Sequence, residues 1–175
     1  RLLLSARSER ACELRGLLVD MHADMKALDR LFGAVDQAKA ASLDRGSDDM
    51  TVWAFAAWLH HVYTGVESIF TRVAQVLDGY STRADDWHRR LLVSMSEPLE
   101  GVRPAVLTES AFAWLDELRR FRHLFRHAYG AELDRHRVKD LVVQTLEMRS
   151  TLDEELHRLG AFVEALVKRH EQQDA

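Results

Sequence analysis

Both prolines of this 175-residue chain fall in one stretch, Glu97-Pro98-Leu99-Glu100-Gly101-Val102-Arg103-Pro104. A proline inside a helix removes a backbone hydrogen bond and clashes with the preceding turn. No such interruption occurs elsewhere, and apolar residues recur at helical spacing over long spans. Leu14, Leu18, Met21, Met25, Leu28, Phe32 and Val35 alternate between steps of four and three. That spacing draws one apolar stripe down a helix. The expected fold is all-α: an antiparallel up-and-down bundle of four long helices plus one short helix.

The first helix is expected over about residues 2–40 and the second over about 49–77. The second carries Trp53, Phe55, Trp58, Leu59, Val62, Tyr63, Val66, Ile69, Phe70, Val73 and Val76. It is apolar on most sides and is the candidate central helix. Asp48 or Asp49 can cap its start, and Gly79-Tyr80-Ser81-Thr82 ends it. A short helix is expected over about 85–95, with Asp85 or Asp86 as cap. After the proline loop, Thr108 caps a fourth helix with Phe112, Leu115, Leu118, Phe121, Phe125 and Ala128 on its buried face. Gly130 suits the left-handed position that ends it. A single last helix is expected over about 134–171, with Val138, Leu141, Val142, Leu152, Leu156, Leu159, Val163 and Leu166 as its stripe. No repeat or linker divides the chain, so residues 1–175 are expected to form one domain.

Composition narrows the setting. Cys12 is the single cysteine, so no internal disulfide forms, and a reducing, cytoplasmic location is the simplest reading. No apolar run approaches the ~18 residues of a membrane span. The formal net charge of −4 does not fit a general nucleic-acid binder. The charge is uneven, however. Residues 119–139 hold seven basic and two acidic side chains, a local balance of +5 that leaves −9 elsewhere. Such an island can act as a focused, salt-sensitive anion site. It can equally be a basic stripe paired with acidic neighbours.

Several isolated ligand-type residues raise the question of metal binding. His60, His61 and Glu67 lie on the second helix, with His60 and Glu67 two turns apart on one face. Asp85 and His88, and Glu154 and His157, are single carboxylate–histidine pairs. A di-metal bundle needs two Glu-x-x-His elements, so these residues read as interfacial polar groups, and no metal or other cofactor is expected.

The chemistry concentrates in Phe121-Arg122-His123-Leu124-Phe125-Arg126-His127-Ala128-Tyr129-Gly130, at the end of the fourth helix. His123 and His127 are four residues apart and share a face. Arg119, Arg122 and Arg126 form a second stripe. Arg122 and His127 are offset by about 140° around the helix. They can converge on a phosphate through the long arginine side chain, or be completed by a second copy across a two-fold axis. Histidine can move a proton to or from a ribose 2′-OH or a leaving 5′-oxygen, and arginine can hold a phosphorane. The residues alone also fit a basic helix end favoured by the macrodipole.

The spacing Arg122, four residues, His127, one residue, Tyr129 resembles the R-x4-H-x-Y motif of HepT toxins, within the HEPN class of metal-independent ribonucleases. The stretches Trp87–Met95, Arg103-Pro104-Ala105-Val106 and Phe121–Gly130 are similar to a HepT-like subfamily, and the similarity covers about residues 50–165. His123 departs from that pattern, where Asn or Asp is frequent. The resemblance implies a compact helical bundle that cleaves RNA by 2′-OH attack, leaving a 2′,3′-cyclic phosphate. His127 would be the catalytic histidine and Arg122 its phosphate partner, with His123, Arg119 and Arg126 supporting RNA binding. It further implies a homodimer with a composite cleft, and an MNT-type nucleotidyltransferase antitoxin that transfers AMP from ATP to Tyr129. The other reading is a non-catalytic helical interaction or nucleotide-binding module paired with such a nucleotidyltransferase.

Overall fold

The computed structural model describes residues 2–44, 48–79, 86–127 and 133–172. Seven α-helices follow one another among them: α1 (Leu2–Ala34), α2 (Gln37–Ala40), α3 (Asp49–Val73), α4 (Trp87–Ser96), α5 (Glu109–His127), α6 (Arg135–Glu147) and α7 (Arg149–Gln172). The described residues contain no β-strand, so the bundle is all-α as expected. Helix α3 is the central element. It packs against α1, α4, α5 and α6, while α7 packs against α1 and α6.

The start and end of α3 follow from local chemistry. Asp48 is its N-cap, accepting from the Thr51 backbone N–H at 2.9 Å and the Thr51 hydroxyl at 2.7 Å. A π-helical turn, Ala74–Asp78, follows, and Gly79 closes it at φ 63°, the left-handed position that favours glycine. Val62, Val66, Ile69, Phe70 and Val73 are all essentially without solvent exposure. Helix α1 approaches closely at Gly65, where a Cβ would stand 2.7 Å from Leu28 Cδ2. Phe32 meets Trp58 edge-on at 5.9 Å, and the Trp58 indole N–H donates to the Leu31 carbonyl at 2.8 Å.

Two long helices expected from periodicity are each divided. The first ends at Ala34 rather than near residue 40. Asp36 caps the separate α2 by accepting from the Lys39 N–H at 2.7 Å, and Lys39 Nζ donates back to the Ala34 carbonyl at 2.7 Å. An aspartate that bonds its own backbone competes with helix continuation. The last helix is split at Met148, although the flanking bonds survive: Met148 N–H to Gln144 O at 2.9 Å and Leu152 N–H to Met148 O at 3.0 Å. The two halves serve different neighbours, α6 packing on α3 and α2, and α7 on α1.

The cap positions divide similarly. Asp86 stands at the α4 N-cap without a side-chain hydrogen bond, while the alternative cap Asp85 and the expected terminator Gly130 lie outside the described residues. Thr108 caps α5, its hydroxyl accepting from the Ala111 N–H at 3.3 Å. On α5, Leu115, Leu118 and Phe121 are buried as expected, and Phe112 and Phe125 partly so. The largest buried α5 side chain is Trp114, whose indole N–H donates to the Thr145 hydroxyl at 3.0 Å.

The loop between α4 and α5 sets the course of α5. Its pivot is Arg103, whose side chain has no exposure. Arg103 donates to both Asp78 carboxylate oxygens at 2.9 and 2.7 Å, to the Ser94 carbonyl and hydroxyl at 2.9 Å each, and to the Glu97 and Pro104 carbonyls at 3.2 and 3.3 Å. Glu155 of α7 accepts from the Thr108 N–H at 2.8 Å, tying the start of α5 to the last helix.

Candidate active site

One face of α3 carries His60, Tyr63 and Glu67 at helical spacing, and α5 crosses it antiparallel, with Arg122 near Glu67 and Phe125 near His60. The first turn of α4 adds His88. Glu67 is 6% exposed, and its Oε1 accepts from the Tyr63 hydroxyl at 2.9 Å and contacts His88 Nδ1 in a short hydrogen bond. A carboxylate only accepts, so His88 Nδ1 carries a proton, and in the neutral ring Nε2 holds the lone pair. Arg122 Nη1 lies 3.5 Å from that Nε2, and Arg122 Nη2 lies 3.9 Å from Glu67 Oε2. The guanidinium also sits 5.9 Å from the Tyr63 ring centroid.

Arg122 is poorly satisfied for so enclosed a cation. Its side chain is 16% exposed, and its Nε–H is buried with no hydrogen-bond partner among the described residues. The contact to His88 is at the outer limit of a hydrogen bond, and the one to Glu67 is beyond it. Arg103 shows the opposite state, with its donors engaged. A guanidinium offers five N–H donors, so Arg122 keeps the capacity to grip an anion.

His127, in the last turn of α5, is exposed. Its Nδ1 donates to the His123 carbonyl at 2.7 Å, which leaves Nε2 without a partner among the described residues. The His123 and His127 rings pack with centroids 4.5 Å apart, as their spacing implied. Arg126 is also exposed, and Leu124 beside it is 49% exposed. Arg119 is turned back on its own helix, its Nε bonded to Asp116 Oδ1 at 2.8 Å. Tyr129 lies outside the described residues. Thus α5 presents two levels: an enclosed Arg122 held among Tyr63, Glu67 and His88, and an exposed end carrying His123, Arg126 and His127.

A family profile described as "HepT-like protein" matches residues 54–163. The chain belongs to the HepT-like family. It is thereby a member of the HEPN superfamily. Comparison with curated proteins and with solved structures returned no match. The matched span of this HepT-like chain runs from α3 into α7 and contains Glu67, His88 and the whole Arg122–His127 segment.

In the sequence, Glu67 and His88 are separate polar residues, each with a possible partner only on its own helix. The structure pairs them with each other and with Arg122. The available signal was Glu67 itself, a lone carboxylate on a face of the most apolar helix. Among the described residues, no group of three or more His, Cys, Asp and Glu side chains is placed to hold a metal. No helix among them is long and apolar enough to cross a membrane.

Burial pushes the Tyr63 hydroxyl well above its usual range, and Glu67 beside it adds to the shift. Tyr63 therefore acts as a fixed donor. His60 moves the other way. Burial lowers its pKa below the ordinary 6.5, helped by the positive charge of Arg122, then His61 and Arg126, with Glu67 opposing. The folded protein thus favours neutral His60. As pH falls below about 6.5, the unfolded chain takes up the proton first, and this contribution to stability is lost. Melting temperatures are expected to drop between about pH 7.5 and 5.5, and to drop less in His60→Phe. An unchanged slope in the variant would remove His60 as the cause.

Proposed function

We propose that this HepT-like chain is a metal-independent endoribonuclease and the toxin of a toxin–antitoxin pair, with residues 1–175 acting as one HEPN domain in the cytoplasm. The observation that carries this reading is Arg122: an enclosed guanidinium with donors unused among the described residues, on the same helix end as a histidine whose Nε2 has no partner among them. Arg122 receives the scissile phosphate, and its planar fork stabilises the charge of the phosphorane. His127, its tautomer set by the His123 carbonyl, serves in proton transfer. The ribose 2′-oxygen attacks phosphorus, the bond to the 5′-oxygen breaks, and the products are a 2′,3′-cyclic phosphate and a 5′-hydroxyl. His123 and Arg126 line the approach to this end of α5, while Arg119 supports it through its Asp116 pair. Two copies meeting near Leu124 would bring two such helix ends into one composite cleft.

The motif tyrosine, Tyr129, is proposed as the acceptor of AMP from ATP, transferred by an MNT-type nucleotidyltransferase antitoxin. AMP there would place negative charge where RNA phosphate must bind. The purified protein is expected to cleave single-stranded RNA, and to spare DNA, in the presence of EDTA. His127→Ala is expected to lower the rate by about 10²–10⁴-fold with its circular dichroism unchanged. Equal cleavage by the variant, or cleavage lost on chelation, would refute the proposal.

A further inference from the structure

Cleavage by 2′-OH attack moves two protons at opposite ends of the reacting phosphate. One leaves the attacking 2′-hydroxyl, and one joins the departing 5′-oxygen. A single imidazole cannot do both in one in-line step. The surroundings of Arg122 contain a second one. His88 is partly exposed, with 25% of its side chain accessible, and the Glu67 side chain behind it is buried. Glu67 fixes the His88 Nδ1–H, so the Nε2 lone pair points at the guanidinium, 3.5 Å from Arg122 Nη1. Tyr63 holds the same carboxylate oxygen at 2.9 Å and stops Glu67 from rotating away. Trp87 lies against the His88 ring with centroids 3.8 Å apart and restrains its plane.

We infer that His88 is a second catalytic histidine, the base that takes the 2′-OH proton, and that Glu67 is its positioning residue. This inference rests on the ribonuclease reading above. The guanidinium–His88 contact is loose. When Arg122 turns its N–H groups to a phosphate, Nε2 is freed beside the bound group. The 2′-OH gives its proton to Nε2 as the 2′-oxygen bonds to phosphorus. The imidazolium so formed is stabilised by the Glu67 carboxylate, the support that makes a histidine–carboxylate pair an effective base. Among the described residues, His127 has only a backbone carbonyl behind its Nδ1. It is left the other task, entering protonated and giving that proton to the 5′-oxygen as the P–O5′ bond breaks. Arg122 and His127 are five residues apart on α5, about 7.5 Å along the helix axis, so the exposed His127 stands at a different level of the helix from the arginine that faces His88.

The test uses the full chain, an RNA oligonucleotide, and uridine 3′-(4-nitrophenyl phosphate), whose leaving group needs no proton. His88→Ala is expected to lose about 10²–10³-fold in kcat on both substrates, with KM within about threefold of wild type. Free imidazole is expected to restore at least about tenfold of that loss. His127→Ala should be impaired on RNA and largely recover on the nitrophenyl ester. If His88→Ala melts early, His88→Gln retains a donor to Glu67 and should be equally inactive. Three results overturn the assignment: a kcat within about threefold of wild type in either His88 variant, a loss of His88→Ala confined to RNA, or no rescue by imidazole. A wild type that cleaves neither substrate overturns the ribonuclease reading and this assignment together. An active wild type matched by His88→Ala overturns the assignment alone.

Discussion

Arg122→Ala is expected to lower RNA cleavage by about 10²–10³-fold, the scale of removing one preorganised donor from a developing oxyanion. The loss should fall mainly on kcat, because the charge that Arg122 meets grows toward the phosphorane. The variant should keep its fold. Glu67 retains the Tyr63 hydroxyl and His88 as partners when the guanidinium is gone. Arg122 itself makes one loose hydrogen bond and an ion pair at 3.9 Å, so the stability cost is about 1 kcal/mol. Arg122→Lys keeps the charge and loses the fork, and is expected to recover only a small part of the rate. Single-turnover rates beside thermal melts check both halves. An arginine whose removal unfolds the protein, or leaves cleavage unchanged, is not the phosphate partner.

Arg103→Met is expected to destabilise the fold by about 3–5 kcal/mol, the range seen when one partner of a buried ion pair is removed. Two things are lost together. The α4–α5 loop loses its central hydrogen-bonding hub, with the Ser94, Glu97 and Pro104 carbonyls deprived of a donor. Asp78, whose side chain is 6% exposed, is left as a buried carboxylate without its cation. Against a typical total of about 5–15 kcal/mol, this is a large fraction. The double variant Arg103→Met/Asp78→Leu removes both charges and should regain part of the loss. Urea denaturation of the three proteins gives the comparison, and a single-variant cost below about 1 kcal/mol would mean the pair is not what holds the loop. The two arginines thus divide the work: Arg103 is saturated and structural, whereas Arg122 is enclosed and under-bonded.

Much of the helical layout was readable residue by residue. Asp48, Thr108 and Gly79 mark helix ends because capping is local, depending on side chains within three or four positions. The stripe from Leu14 to Phe32 is buried at Leu14, Met21, Leu28 and Phe32 because amphipathic spacing is also local. The break at Asp36 had a visible cause, since an aspartate that can cap the next turn ends the previous one. The break at Met148 had none. No proline or glycine marks it, and only the packing of α6 on α3 and of α7 on α1 distinguishes the two halves. Trp114 sits outside the stripe traced through Phe112, and its burial depends on Thr145, which arrives from α6.

The candidate site divides in the same way. The sequence alone determined the all-α class, the family, and the gathering of Arg122, His123, Arg126 and His127 on one helix end, because all of these depend on order and spacing along the chain. Only the tertiary structure decided which of them is enclosed and what it faces. Arg122 meets His88 across 34 residues, and His88 meets Glu67 across 21. Those partners are selected by how α3, α4 and α5 pack, with Arg103 and Asp78 orienting the loop into α5. Periodicity shows which face of each helix is buried, but not the partner helix or the residue level at which the faces meet. That is why a carboxylate and a histidine that looked like unrelated interfacial groups stand beside the motif arginine.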